Sequence, residues 1–346
     1  MQTPQQDKTG TQIYPFHDEN EWSGAVRLRK YLLDHSIVSG DGHFLLHVPI
    51  DSDSTNIDIA SQPDAQVNDP LRRHLGALLQ YSDRIRDLLD GHIDTSAATP
   101  LIKETEQTGE SIPEDTQLTP ENDYFKVAHY TGEPELYYLF NESDCRYDGV
   151  INLPQRSSLY EYDAWNDLIL ELDYWNHDDK SYVNLSIDPG KSMVIVCGGP
   201  DDTILHAPLF LTGEKIELRE FIRTVCKCAD YPAFSKRRRI KKPERYSKKH
   251  KRYQSVIRYE TAFPLAGFKQ VALEITDAFE AVEVFVNGNS AGVQIVPAFV
   301  FDLTEFCNQG ENNLVIEVTT TYERDRNKQK KAAPAGITGS VRLYIE

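Results

Sequence analysis

Residues 282–318 read VEVFVNGNSAGVQIVPAFVFDLTEFCNQGENNLVIEV, and this stretch decides the fold. Val284 and Val286 alternate with their neighbours at the period of two that marks a half-buried strand. Asn287-Gly288 then supplies two residues able to take the positive φ angles of a tight hairpin. AGVQIV, FVFDLT and NLVIEVTTTY follow at short spacing, with Pro297 before Phe299 at a bend between strands. Gly310-Glu311-Asn312-Asn313 is a second turn, which asparagine side chains close by bonding to the backbone. Outward on either side lie VIRYETAF, QVALEIT and SVRLYIE. Eight or so strands between residues 255 and 346 predict a jelly-roll sandwich.

Upstream, residues 124–225 also read as β. KVAHY, ELYYLFN, GVINLP, SLYEYD, LILELDYW, YVNLSI and SMVIVC are short runs rich in β-branched and aromatic residues. Turn residues separate them, so a second sandwich is expected. Residues 94–123 hold eight acids against Lys103 alone and predict an acidic linker; residues 226–254 predict a basic one. Residues 1–93 predict a short α/β segment, itself part of a truncated domain. It has a helix over 21–33 with Val26, Leu32 and Leu33 apolar, and a strand over 43–50. A second helix runs from Asp69 as cap and Pro70 as first residue to Gly91 as stop, with Leu71, Leu75, Leu78, Leu79, Ile85, Leu88 and Leu89 near one face. The chain is thus expected to be mainly β, two sandwiches after a short α/β segment.

Charge narrows the class. The 346 residues carry 37 Lys+Arg and 54 Asp+Glu, a net −17, with 40% hydrophobic residues. Such a surface argues against nucleic acid as a partner. Yet the run 236–252, KRRRIKKPERYSKKHKR, has eleven Lys/Arg and one Glu. At +10 it leaves −27 on everything else. The apolar runs at 44–48 and 193–197 are far below the ~20 residues of a membrane span. The first residues show no secretory pattern, so a cytoplasmic protein is expected. Five cysteines, with a Cys226-x-Cys228 pair but no second ligand pair, predict reduced thiols and no metal. Neither His43 with His47 nor Asp173, Asp178 and Asp179 makes a metal motif. No Gly-rich phosphate loop, GxSxG or HExxH is present, and no cofactor is expected.

Residues 257–263 (IRYETAF), 282–318 and 335–343 (AGITGSVRL) together resemble the sugar-binding, galactose-binding-like jelly roll of family 2 glycoside hydrolases and their relatives, including large α-L-rhamnosidase-like enzymes. The order of words carries the likeness: strand, VNG, Gly292, Pro297, aromatic, Asp302-Leu303-Thr304, Gly310-Glu311-Asn312. ELYYLFNES (135–143), SLYEYDAWND (158–167) and VNLSIDPGKSMVIV (183–196) resemble the β-domain that precedes it. This chain has Tyr162-Asp163 and Asp167 where that pattern has Trp-Asp and Gly. Residues 1–93 resemble the end of an α/β domain upstream of such modules.

In those enzymes the resemblance places catalysis on a (β/α)₈ barrel carrying two carboxylates. A barrel needs ~250 residues, and only 123 precede Tyr124, so the barrel and its catalytic residues are expected to be absent. The resemblance therefore implies a non-catalytic accessory portion of a glycoside hydrolase. It would bind or position a glycan, or brace a catalytic domain or subunit supplied elsewhere.

For a glycan, Trp165 can stack on a sugar ring, with Asp163, Asn166 and Asp167 able to bond hydroxyls. Trp175 could stack in the same way, but Trp165 has the more polar neighbours. Glu161 and Asp163, two apart on a strand, share a face and could hold a sugar or calcium. The alternative is a non-enzymatic scaffold in which the loop 236–252, through Lys236, Arg237, Arg238, Arg239, Lys241 and Lys242, docks an acidic partner.

Overall fold

The computed structural model describes residues 25–39, 70–89, 99–100, 116–154, 158–198, 204–243, 255–320 and 335–346. The expected β-rich class is what it shows. Two helices, α1 (Ala25–Ser39) and α2 (Pro70–Leu89), precede two layered β units.

The first unit contains β1 (Thr99–Pro100), β2 (Gln117–Thr119), β3 (Phe125–Tyr130), β4 (Glu135–Asn141), β5 (Tyr147–Pro154), β6 (Leu159–Asp163), β7 (Leu168–Glu171), β8 (Tyr174–His177), β9 (Lys180–Ile187) and β10 (Ser192–Cys197). They form a six-stranded sheet ordered β1-β3-β4-β10-β6-β7 and a four-stranded sheet ordered β2-β5-β9-β8. Phe125, Val127, Tyr137, Leu139 and Ile195 of the larger sheet meet Tyr147, Ile151, Leu153, Val183 and Leu185 of the smaller.

The larger sheet is covered on its other face too. There Ala128, Leu136, Tyr138, Phe140, Val194 and Val196 pack with Ile37 of α1 and Leu78, Tyr81, Ile85 and Leu89 of α2. Burial on two faces explains why β4 reads as an unbroken apolar run rather than an alternating one. Each such aliphatic side chain contributes about 2 kcal/mol by leaving water.

The second unit contains β11 (Glu214–Glu217), β12 (Phe221–Lys227), β13 (Arg238–Ile240), β14 (Ser255–Leu265), β15 (Val271–Ile275), β16 (Ala278–Phe279), β17 (Ala281–Val286), β18 (Asn289–Gln294), β19 (Phe299–Asp302), β20 (Gly310–Thr320), β21 (Gly336–Ile337) and β22 (Val341–Ile345). Its sheets are ordered β13-β12-β14-β20-β17-β18 and β11-β22-β15-β19, with β16 paired to β21. Tyr259, Phe299, Val284, Ile316, Leu273 and Leu343 fill the space between the sheets.

The signature residues have structural work here. Asn287 (φ 52°) and Gly288 (φ 87°) turn β17 into β18. Asn287 Nδ2 donates to Phe306 O (2.9 Å) and to Asn312 Oδ1 (2.8 Å), and its Oδ1 accepts from Asn313 N (3.0 Å). One side chain thus ties the hairpin to the turn at 310–313. Asn287→Ala is expected to cost about 2 kcal/mol, from lost hydrogen bonds and left-handed strain. A lower urea midpoint at unchanged slope would measure it.

Several boundaries differ from those expected. β11 pairs with β22 and β12 with β14, so residues 214–225, expected in the first unit, belong to the second, together with 226 and 227 of the expected basic linker. The basic stretch 226–254 is not wholly a loop: Arg238–Ile240 is a strand, because Ile240 reaches the core and pairs with Phe221. The acidic stretch 94–123 contributes β1 and β2 to the first unit. LILELDYW breaks at Leu172-Asp173, β7 staying beside β6 while β8 crosses to β9 in the opposite sheet.

Helix α1 runs to Ser39, beyond the expected end at residue 33, since Ile37 and Val38 are buried against the sheet, while Leu32 is exposed. α2 starts at Pro70 as expected. The strand expected at 43–50 lies outside the described residues. No described helix is long and apolar enough to cross a membrane.

Candidate functional site

The turn expected to meet a glycan joins β6 to β7. Asp163 Oδ1 accepts from the backbone N–H groups of Trp165 (2.9 Å) and Asn166 (3.3 Å), and Asn166 Nδ2 donates to Asp163 Oδ2 (2.6 Å). An aspartate in this position caps its own turn. Asp167, at φ 57°, accepts from the Tyr162 hydroxyl (2.8 Å). From α2, Arg84 donates to the carbonyls of Ala164 (3.0 Å) and Trp165 (2.7 Å) and lies 3.8 Å from Asp167 Oδ2.

Trp165 is stacked on Tyr81, with ring centroids 4.6 Å apart. The four residues do come together, but their polar groups are engaged with one another and with α2. Glu161 and Asp163 share a face as expected. Burial, then the Asp163 charge, pushes the Glu161 carboxyl up to about 7.

Trp175 is placed differently. It projects from β8 at 44% exposure and stacks on Tyr182 of β9, centroids 5.3 Å apart and planes 12° apart. The preceding residue, Tyr174, packs against the core; alternation along the strand sends Trp175 outward.

The six basic residues Lys236, Arg237, Arg238, Arg239, Lys241 and Lys242 are all exposed around β13, the last strand of its sheet. Arg237 bonds Glu260 (2.7 Å). Charges on an outermost strand oppose the addition of a further strand, which gives these residues a structural role.

Two buried charge clusters escaped the sequence reading. On the outer face of the second unit's larger sheet, Glu283 of β17 sits directly opposite Glu317 of β20. Their side chains are 4% and 0% exposed. Arg73 of α2 spans them, Nε donating to Glu283 Oε2 (2.8 Å) and a terminal nitrogen to Glu317 Oε2 (3.4 Å). Arg258 Nε donates to Glu317 Oε1 (2.7 Å), and His74 Nε2 lies 3.7 Å from Glu283. Burial pushes the Glu283 carboxyl up. The Arg73 hydrogen bond and charge, with the His74 ring close by, outweigh that and hold it below the usual range.

In the second cluster, Lys30 of α1 bonds Asp34 one turn on and donates to Gly190 O (3.1 Å). Asp34 Oδ1 accepts from the Tyr138 hydroxyl (2.8 Å) and lies 3.1 Å from that of Tyr81. Burial raises its carboxyl above the ordinary range despite Lys30. Just upstream, Arg27 Nε donates to Ile295 O (2.9 Å) in the second unit and lies over the rings of Phe279 and Phe299. Each helix therefore grips both units. α1 does so through Arg27 on one and Lys30 and Asp34 on the other; α2 uses Arg73 and His74 on one, Tyr81 and Arg84 on the other.

Much of the fold has a solved counterpart. The structure of a rhamnosidase from Novosphingobium sp. PP1Y superposes with a TM-score of 0.52 at 17% identity, over 66% of this chain and 24% of the rhamnosidase chain. At that identity the likeness is one of fold, and this chain spans about a quarter of that enzyme's length. Smaller portions, 38% of the chain each, match a β-D-mannosidase from Dictyoglomus thermophilum (17% identity, 22% of that chain, TM-score 0.31) and a β-glycosidase from Bacteroides vulgatus (20% identity, 20% of that chain, TM-score 0.29). No family model matches the chain, and no curated protein matches it.

Proposed function

We propose that the chain is a non-catalytic accessory portion of a glycoside hydrolase-like protein, acting as a rigid two-sandwich brace that also presents a surface to glycan. The observation that carries this is the double anchoring of α1 and α2. Arg27 and Arg73 hold the second unit while Asp34, Tyr81 and Arg84 hold the first. Hydrogen-bonded charge at four points, buried at Asp34 and partly buried at the arginines, favours one relative placement of the units, since alternatives leave those groups without their partners. The shared fold with part of a rhamnosidase supports the carbohydrate setting of this reading.

Cys145 is exposed, and the other four cysteines are buried. A spin label there and another on Glu311→Cys in the second unit should report one narrow distance; a broad distribution would overturn the brace. The purified chain should release no chromophore from aryl-glycosides. Release abolished by a single carboxylate substitution, such as Glu161→Gln, would overturn the non-catalytic assignment.

A further inference from the structure

We infer that the outer face of the four-stranded sheet, at its β8 margin, is a binding site for a neutral glycan, with Trp175 as its stacking platform. This rests on the accessory, carbohydrate-facing reading above and moves the contact away from Trp165.

Three observations converge on it. Trp175 is a large aromatic left 44% exposed, and its ring is held by parallel stacking on Tyr182. A ring fixed before binding loses little freedom when a ligand arrives. β8 is the last strand of its sheet, so the Trp175 face away from Tyr182 has no neighbouring strand among the described residues. A pyranose presents an apolar C–H face that such a ring accepts.

Polar groups flank the ring pair on the same sheet face. Two residues before Trp175 stands Asp173, and two after Tyr182 stands Asn184, whose Nδ2 donates to Asp173 Oδ2 (2.7 Å) while its backbone N–H donates to Asp173 O (3.1 Å). On the opposite flank is exposed His177, 3.1 Å from Asp178. Carboxylate, amide and imidazole beside an exposed ring offer both donors and acceptors to sugar hydroxyls. An aromatic surrounded by such groups suits a ligand with one apolar face and a hydroxylated rim.

The charge selects among glycans. Asp173 stands two residues before Trp175, and Asp178 and Asp179 form the β8–β9 turn that follows it, with φ of 47° and 58°. Three carboxylates against the single lysine paired at this turn, Lys180 opposite His177, disfavour a uronate or sulfated sugar and favour a neutral one.

The test uses the full chain, titrated by tryptophan fluorescence and by calorimetry with maltohexaose, cellohexaose and mannohexaose, and with a polygalacturonate oligomer as acidic control. At least one neutral oligosaccharide should bind. Trp175→Ala should weaken it by about tenfold or more, the weight of one aromatic contact. Asn184→Ala should weaken it severalfold, with the melting temperature of each variant close to that of the parent. Asn166→Ala, in the self-bonded turn, should leave binding unchanged.

Binding that survives Trp175→Ala would overturn this site while leaving a glycan role standing. Tighter binding of the acidic oligomer would overturn the neutral assignment. Failure of all the neutral probes would overturn the site and the glycan arm, while the brace stands or falls on the spin-label distance.

Discussion

Replacing Arg73 with alanine is expected to lower the unfolding free energy by about 3–5 kcal/mol, the range found when one partner of a buried ion pair is removed. The reason is local. Glu283 and Glu317 face each other across β17 and β20, and Arg73 bridges them. Without it Glu317 keeps Arg258, whereas Glu283 retains only His74, at 3.7 Å.

The pH dependence follows in sign. In the native protein the Glu283 carboxyl is held below its ordinary value, so its contribution is present above the unfolded pKa and disappears as pH falls through the folded one. The Arg73→Ala variant lacks that contribution. The gap between the two proteins should be widest at neutral pH and should narrow in acid, as Glu283 takes up a proton. Urea denaturation across pH 3–7, roughly the interval in which carboxylates titrate, measures it. A gap that is small or independent of pH would show that α2 is held mainly by its apolar face. Adding Glu283→Gln to Arg73→Ala should recover a substantial part of the loss at neutral pH.

Lys30→Met is expected to be nearly as damaging, at about 3 kcal/mol. Asp34 is 0% exposed and would lose its cation, keeping only the hydroxyls of Tyr81 and Tyr138. Burial already raises this carboxyl. A raised folded value means that Asp34 favours the folded state most at low pH and progressively less as pH climbs through the unfolded and then the folded value. The Lys30→Met defect should therefore deepen from acid to neutral pH.

The double variant Lys30→Met/Asp34→Leu separates two roles. Buried ion pairs often contribute little net stability over apolar residues of similar size. The double variant should return to within about 1 kcal/mol of the parent in thermal unfolding. If it stays as unstable as the single variant, the charges are needed for the packing of α1 itself. If it recovers stability but broadens the spin-label distance between the two units, the pair serves chiefly to hold one arrangement.

Much of the β architecture is legible in the sequence. The VNG hairpin and the turn at 310–313 depend on backbone preferences of Asn and Gly, which neighbours in the chain express directly. Alternation put Glu161 and Asp163 on one face correctly, because the period of a strand is a local property. The same locality misjudged α1. Lys30 and Asp34 lie on its buried side, so the apolar stripe is interrupted where the helix docks, and an i, i+4 Lys/Asp pair reads as a solvated surface bridge. LILELDYW has no sequence mark for the change of sheet at Leu172-Asp173.

Glu283, alternating with inward-facing Val282 and Val284, reads as solvent-facing, and so it would be if α2 did not lie over it. The tryptophans make the same point. Trp165, in a polar turn, had every local sign of a sugar platform, yet Tyr81 stacks on it from 84 positions away in the chain. Trp175, at the margin of a sheet, kept its exposure. Sequence determined where the chain would form strands and turns, since those follow from φ/ψ preference and side-chain period. Which charges become buried, which aromatic stays open and which strands share a sheet were decided only by tertiary structure, because burial depends on what arrives from elsewhere in the chain.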